Sequence, residues 1–246
     1  MKRPFVFVAI VGATIVQCTS SSPSDAGLDA ETDAALACGP IDASVFVPDT
    51  MPPPHPPHLG KCTPQQVSDY AQCQGAKVTD LCGQFKPGQP AADCGACIET
   101  QHDAPEWGVV VFSGSTALFN IEGCVDDALG QVALEVPIDA GPTGGSCGDR
   151  LHWSYACQEA ACNTCTGGDF TRCDSEVLSA GDDASPPGLC KPYDDLVSDP
   201  SSPCAPLFAT PPPSDVANCF PDASITDAGP QLVDWLTRIA TYMCGT

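Results

Sequence analysis

Residues 147–173, CGDRLHWSYACQEAACNTCTGGDFTRC, hold five cysteines within 27 residues. The sequence pattern predicts a helix here and places Cys157, Cys162 and Cys165 within it. A helix so rich in cysteine predicts a hub to which other segments are joined by disulfides. No acid–base or nucleophile arrangement accompanies these cysteines, so the stretch indicates an architecture and not a reaction.

The N-terminus has the pattern of an export signal. Lys2 and Arg3 precede an apolar run of 12 residues, Phe5 to Val16, which suits a signal peptide and is short for a bilayer span. The following Gln17-Cys18 resembles a bacterial lipobox, although Gly, Ala or Ser is usual before the cysteine. The resemblance implies that Cys18 is diacylated and becomes the mature N-terminus. The alternative is an ordinary secretory signal that is cleaved nearby.

The cysteine count agrees with export. The chain has 17 cysteines, an odd number, and lipidation of Cys18 would leave 16, enough for eight disulfides. Thr19 stands where many inner-membrane lipoproteins have Asp, so the lipobox resemblance implies the outer membrane, facing the periplasm or the cell surface. The cysteines expected to pair are Cys38, Cys62, Cys73, Cys82, Cys94, Cys97, Cys124, Cys147, Cys157, Cys162, Cys165, Cys173, Cys190, Cys204, Cys219 and Cys244.

The charge of the chain excludes two classes of partner. Without Lys2 and Arg3 the chain keeps 7 basic and 31 acidic residues, so its net charge is near −24. Nucleic-acid binding requires a basic surface, and this chain has no basic stretch to supply one. A polybasic contact with anionic lipid is excluded for the same reason, so the expected membrane contact is the lipid anchor.

The composition divides the chain into three parts. Residues 1–17 are predicted to be a lipoprotein signal peptide, 18–61 an acidic and Pro-rich stalk, and 62–246 a disulfide-rich helical domain. The prolines within Pro52–Pro57 favour an extended spacer. Cys38 interrupts the stalk, and we expect it to tie part of the stalk to the domain.

Short helices are predicted at the start of the domain. Thr63 is a candidate N-cap, Pro64 occupies the first helical position, and Gln66 completes a capping box. Two further helices are predicted at about 79–85 and 91–100.

The rest of the domain combines a hairpin with more helices. Two apolar runs, Trp107–Phe112 and Thr116–Ile121, are separated by a turn and predict a β-hairpin that Gly123 and Cys124 close. A helix is predicted at about 169–180, residues 181–230 are predicted to be mostly irregular, and a last helix starts at Pro230. The expected fold is mainly α and disulfide-rich with one β-hairpin, and about eight disulfides join its helices and Pro-rich segments.

Cysteine spacing and a few aromatic and glycine positions extend over about residues 60–245. They are Cys73, Cys82, Cys94, Cys97, Trp107-Gly108, Asn120–Cys124, Ala161-Cys162, Cys165, Phe170, Cys173, Cys190 and Tyr193. This pattern resembles a group of cysteine-rich exported proteins and lipoproteins of unknown function from myxobacteria. The resemblance implies no activity and therefore no catalytic residue.

Two pairs of cysteines have the spacing of a chemical site. Cys94-Gly-Ala-Cys97 has the spacing of a thioredoxin-like redox pair, but no β-α-β pattern surrounds it. Cys162 and Cys165 repeat that spacing. Zinc-ribbon pairs lie about 15 to 20 residues apart, whereas 64 residues separate Cys97 from Cys162. Structural disulfides are therefore the favoured interpretation of both pairs.

No catalytic residue, metal ligand or cofactor is expected. His55 and His58 flank prolines in the stalk, where a solvated spacer is the simpler interpretation of them. We expect a lipid-anchored cell-envelope protein, a non-enzymatic structural or binding module whose ligand is a protein or a carbohydrate. The alternative is a thiol–disulfide oxidoreductase that uses Cys94 and Cys97. A third interpretation, a protease-inhibitor-like scaffold, would need an exposed loop braced by a disulfide, such as 199–215.

Overall fold

The structure is a computed structural model, and it leaves the predicted signal peptide and most of the predicted stalk outside the residues it describes. Cys18 and Cys38 lie in that part of the chain. The described residues are 60–75, 78–113, 116–132, 141, 143–162, 164–165, 168–181, 188–209, 213–221 and 230–246.

The predicted class, mainly α with many disulfides, is confirmed. Helices make up most of the secondary structure, and a small sheet lies between the third and fourth of them. The elements are α1 (Pro64–Gly75), α2 (Thr79–Cys82), α3 (Ala92–Ile98), β1 (Glu99–Gln101), β2 (Val110–Ser113), β3 (Thr116–Phe119), α4 (Ile121–Ala128), α5 (Cys147–Cys162), α6 (Gly168–Val177), α7 (Lys191–Ser198), α8 (Val216–Cys219) and α9 (Pro230–Cys244). Short 3-10 helices follow α2 at Gly83–Phe85 and α7 at Ala205–Phe208.

Helix α1 begins with the predicted capping box. The backbone N–H of Gln66 donates to Thr63 Oγ1 at 3.3 Å, and the N–H of Thr63 donates to Gln66 Oε1 at 2.8 Å. One face of α1 is buried at Val67, Tyr70 and Ala71. The helix therefore forms where a local start signal and an apolar face coincide.

Helix α9 packs against α1 and completes the main core. Buried apolar residues recur along α9 at helical spacing. They form a stripe that packs against α1 along the length of both helices. The predicted start at Pro230 is confirmed. The buried residues of this face are Leu232, Trp235, Leu236, Ile239, Ala240 and Met243.

The two ends of the domain meet beside these helices. The N–H groups of Gly60 and Cys62 donate to the carbonyl oxygens of Gly245 and Cys244, both at 2.8 Å, and Cys62 and Gly245 form a parallel β-bridge. We call this contact of Gly60–Cys62 with Cys244–Gly245 the terminal bridge. It closes the described fold into a ring, with its first and last residues side by side.

The predicted hairpin is confirmed, but it is part of a larger sheet. Strands β2 and β3 are antiparallel, with Val111 opposite Leu118, and β1 pairs with β2 in parallel. The expected helix over 91–100 is wrong at its end, because it stops at Ile98 and the chain continues as β1. Pairing with β2, which follows several residues later, decides that boundary.

The end predicted for the hairpin is also wrong. The second strand stops at Phe119, and Ile121 begins α4. Asn120 caps this helix, since its side chain accepts a hydrogen bond from the N–H of Gly123 at 2.9 Å. Gly123 and Cys124 are therefore helical and buried, and they do not close the hairpin.

Helix α5 is the centre around which the second half is arranged. It contacts α4, α6 and α7 along its length. Its first half, with Cys147 and Leu151, belongs to the main core. Its second half belongs to a separate group, which we call the second cluster: Cys157, Ala161, Cys162, Cys165, Cys173, Val177 and Cys190.

Two predictions for this half need correction. Helix α5 ends at Cys162, so Cys165 follows the helix and does not lie within it. The described part of 181–230 contains two short helices, α7 and α8, that the sequence did not predict. Pro192 lies in the first turn of α7, where a proline fits because that N–H has no partner within the helix. Packing on α5 then stabilises this short helix.

Candidate functional site

Seven disulfides connect the described helices and loops. All fifteen described cysteines are disulfide-bonded, and fourteen of them form pairs with one another. The longest bond in sequence joins α3 to the end of α9, and two bonds attach α6 and α7 to α5. The pairs are Cys62–Cys94, Cys73–Cys82, Cys97–Cys244, Cys124–Cys219, Cys147–Cys204, Cys157–Cys190 and Cys162–Cys173.

The two cysteines with redox spacing are bonded to different partners. Cys94 pairs with Cys62, and Cys97 pairs with Cys244. Both are buried, with 1% and 5% of the residue exposed. Thiol–disulfide exchange needs an accessible thiolate or an accessible sulfur to attack, and burial restricts both.

The two cysteines of the second pair with this spacing are likewise not bonded to each other. Cys162 bonds to Cys173 on α6. Cys165 is also disulfide-bonded, and since the other described cysteines are paired, its partner lies outside the described residues. Both cysteines of this pair therefore link the end of α5 to other parts of the chain.

A buried polar network covers the start of α5. Asp126 on α4 accepts a hydrogen bond from the Ser146 hydroxyl and another from the N–H of Gly148, both at 2.6 Å. Gln131 Oε1 accepts from the N–H of Cys147 at 2.8 Å. A carboxylate in this position satisfies N–H groups at the first turn and complements the positive end of the helix dipole. The network therefore serves the packing of α4 on α5.

The close approach of these helices requires glycine at one position. A Cβ on Gly148 would lie 2.5 Å from the carbonyl oxygen of Glu122 and would overlap the Asp126 carboxylate. No side chain fits between the two backbones there, and Gly148 allows α4 to deliver its acidic residues directly to α5.

Five titratable side chains lie near the middle of α5. His152 Nδ1 is 3.4 Å from Glu122 Oε1, and both side chains are almost buried. Burial, followed by the charges of Glu122, Asp194 and Asp174, raises the pKa of Tyr155. We call these five residues the acidic cluster.

Asp174 is a partly buried carboxyl of the acidic cluster. Burial and then the neighbouring Asp194 raise its pKa from 3.8 to about 6. Its Oδ1 atom is buried and makes no hydrogen bond to any of the described residues. The fold therefore holds a carboxylate where its charge is poorly stabilised.

This cluster was not predicted from the sequence, and no local pattern would have revealed it. Its members come from four helices, and their order in the chain shows no motif spacing. The pairing of Cys157 with Cys190 and of Cys162 with Cys173 attaches α7 and α6 to α5 beside Tyr155. Knowledge of that pairing was the missing signal.

The other candidate sites have structural surroundings. Trp107 lies between two histidine rings, with centroids 5.1 Å from His102 and 6.4 Å from His152. In the described part of 199–215, Leu207 and Phe208 pack against the main core, whereas residues 199–201 are exposed. His55 and His58 lie outside the described residues.

The described residues show neither a group suited to a metal ion nor a membrane-spanning helix. There, no three His, Cys, Asp or Glu side chains are grouped as a metal ion would require. No helix among them has the length and apolar character needed to cross a membrane. Val78 is the single large apolar side chain of this part of the chain that is exposed.

Comparison with known proteins found no relative. The chain matches no protein-family model, no curated protein and no solved structure.

Proposed function

We propose that the protein is a lipid-anchored component of the bacterial outer membrane, with the lipid on Cys18. Residues 62–246 then form a non-enzymatic structural or binding module whose ligand is a protein or a carbohydrate. The many disulfides favour an oxidising, exported environment, because the cytosol keeps thiols reduced. The resemblance to myxobacterial exported proteins belongs to the same proposal.

The parity of the cysteines carries the proposal for the anchor. The chain has 17 cysteines and all 15 described ones are bonded, so 17 − 15 leaves Cys18 and Cys38. In this proposal one of these two bonds to Cys165, and the other is left without a partner. An exported protein with one cysteine left over needs an explanation. Lipidation of Cys18 supplies it, and Cys38 then bonds to Cys165.

The roles of the buried polar groups support a non-enzymatic module. Asp126, Ser146 and Gln131 are engaged in the N-terminal cap of α5. Asn120 caps α4 and donates to the Trp107 carbonyl at 3.3 Å. Such bonds position helices, and they use the side chains that a reaction would otherwise employ.

The anchor is tested by acyl labelling in the producing cell. Cys18→Ser should abolish incorporation of labelled fatty acid and move the protein from the detergent phase to the aqueous phase. Cys38→Ser is the matched control, since it removes the other remaining cysteine and should leave labelling intact. Retained labelling in Cys18→Ser, or its loss in Cys38→Ser alone, would contradict the proposal. A non-reduced digest should also yield a peptide that joins Cys38 to Cys165.

A second candidate function is thiol–disulfide exchange by Cys94 and Cys97, favoured by their spacing alone. Because each is buried and bonded elsewhere, we expect the purified protein to reduce insulin no faster than an inert control. Turnover above that control which disappears in Cys94→Ala would establish the redox function instead. Cys73→Ala is the comparison variant, since it also breaks one disulfide.

A further inference from the structure

We propose that the acidic cluster makes the packing of α6 and α7 on α5 dependent on pH. In this proposal Asp174 takes up a proton in mildly acidic medium and the two helices close on α5. When Asp174 is charged, near and above neutral pH, the contact loosens. The proposed device is independent of which ligand the module binds.

The disulfides keep the acidic groups together. Cys173, directly before Asp174, is bonded to Cys162 at the end of α5. Cys190, one turn before Asp194, is bonded to Cys157 in the same helix. The N–H of Cys190 also donates to the Val177 carbonyl at 2.8 Å, which ties the start of α7 to the end of α6. Repulsion between the carboxylates therefore cannot be relieved by full separation of the helices.

Aromatic stacking fixes α7 in the same position. The rings of Trp153 on α5 and Tyr193 on α7 are stacked, with centroids 5.7 Å apart. Asp194 follows Tyr193 directly, so its carboxylate is held near the middle of α5. Tyr155 lies two residues after Trp153, and the charges of both Asp174 and Asp194 act on it.

The charges of Glu122, Asp174 and Asp194 all act on Tyr155, and the charge of Asp194 also acts on Asp174. Helix α4 contributes Glu122, α5 contributes Tyr155 and His152, and α7 contributes Asp194. The His152 imidazole contacts the Glu122 carboxylate.

The cations of these helices are engaged elsewhere. Arg172 on α6 binds Asp169 at 3.3 Å, and Lys191 on α7 binds Asp195, in both cases within the same helix. Arg150 on α5 donates to the carbonyl of Leu196 at 3.1 Å. Proton uptake is therefore the direct way to neutralise Asp174.

The direction of the pH effect follows from the raised pKa of Asp174. The pKa is about 6 in the folded protein and has its ordinary value of 3.8 in the unfolded chain. A raised pKa favours the folded state while the group is protonated. Its contribution to stability is thus fully present below about pH 4, and it is lost as the pH rises through 6.

Thermal unfolding of Asp174→Asn against the unsubstituted protein tests the proposal, with the disulfides intact. We expect the variant to melt a few degrees higher at pH 8 and at an equal temperature near pH 4. Asp194→Asn should give a smaller gain, since burial acts on Asp174 more strongly than this neighbour does. Asp169→Asn, on the exposed side of the same helix, should not gain stability as the pH rises. A difference between Asp174→Asn and the unsubstituted protein that stays constant from pH 4 to pH 8 would overturn the proposal.

Amide hydrogen exchange locates the effect. After correction for intrinsic rates, the amides of α6 and α7 should be about threefold better protected at pH 5 than at pH 8, because solvent screening of the half-buried carboxyl reduces the full effect of about tenfold. Asp174→Asn should remove this difference, and the amides of α1 should not show it. Equal protection of α6 and α7 at both pH values would contradict the proposal, even if global stability varied with pH.

Discussion

Replacing Cys97 and Cys244 together by alanine is expected to lower the free energy of unfolding by about 4 to 5 kcal/mol. This disulfide spans 147 residues, the longest of the described bonds, and a long loop restricts the unfolded chain most. The Cys124–Cys219 bond shortens the effective loop, which accounts for the lower value of the range. Removing both cysteines avoids a free thiol, and alanine adds no polar group to the core.

The matched control is the removal of Cys73 and Cys82, whose bond spans only 9 residues. That double alanine variant should lose about 2.5 kcal/mol. Guanidinium unfolding without reductant measures both losses against the unsubstituted protein. Equal losses would mean that loop length does not determine what these disulfides contribute. A cooperative transition that survives full reduction of the protein would mean that the core stands without them.

Trp235→Ala is expected to lower the free energy of unfolding by about 3 to 5 kcal/mol. Trp235 is 1% exposed in the middle of α9, and its ring lies 4.4 Å, between centroids, from Phe119 on β3. The side chain thus joins the last helix to the sheet, and its removal leaves a cavity between them. Thermal and guanidinium unfolding at a fixed pH measure this loss.

Trp235→Phe separates packing from polar effects. Trp235 Nε1 is buried and finds no hydrogen-bond partner among the described residues, so phenylalanine removes an unsatisfied donor while it keeps an aromatic ring. We expect a loss of about 1.5 kcal/mol or less, well below that of alanine. If Trp235→Phe and Trp235→Ala lower the free energy of unfolding equally, the indole N–H makes a contact that this part of the structure does not include.

The sequence predicted those elements whose ends depend on residues adjacent in the chain. The capping box of Thr63 and Gln66 marks the start of α1, and Pro230 with its apolar stripe marks α9. Strand β1 was missed because β2, which follows it by several residues, decides its conformation. Helix α7 was missed because its packing on α5 depends on the Cys157–Cys190 bond.

The candidate site, too, could be predicted only in part from the sequence. The sequence names every cysteine, and it indicates that oxidation and not catalysis explains their number. It does not show which cysteines pair, because the number of connectivities grows steeply with the number of cysteines. Asp174 and Asp194 are ordinary surface acids in the sequence, and the pairing that surrounds α5 is what makes them neighbours.

The terminal bridge has a mechanical consequence. A load applied to the chain before Gly60 reaches the hydrogen bonds of Gly60 and Cys62 to the C-terminal residues first. Directly behind them, the Cys62–Cys94 disulfide transmits the load to α3, and Cys97–Cys244 transmits it on to the end of α9. Traction at this end is therefore borne by covalent bonds, and the domain resists being unravelled from its N-terminal end even where its hydrogen bonds yield.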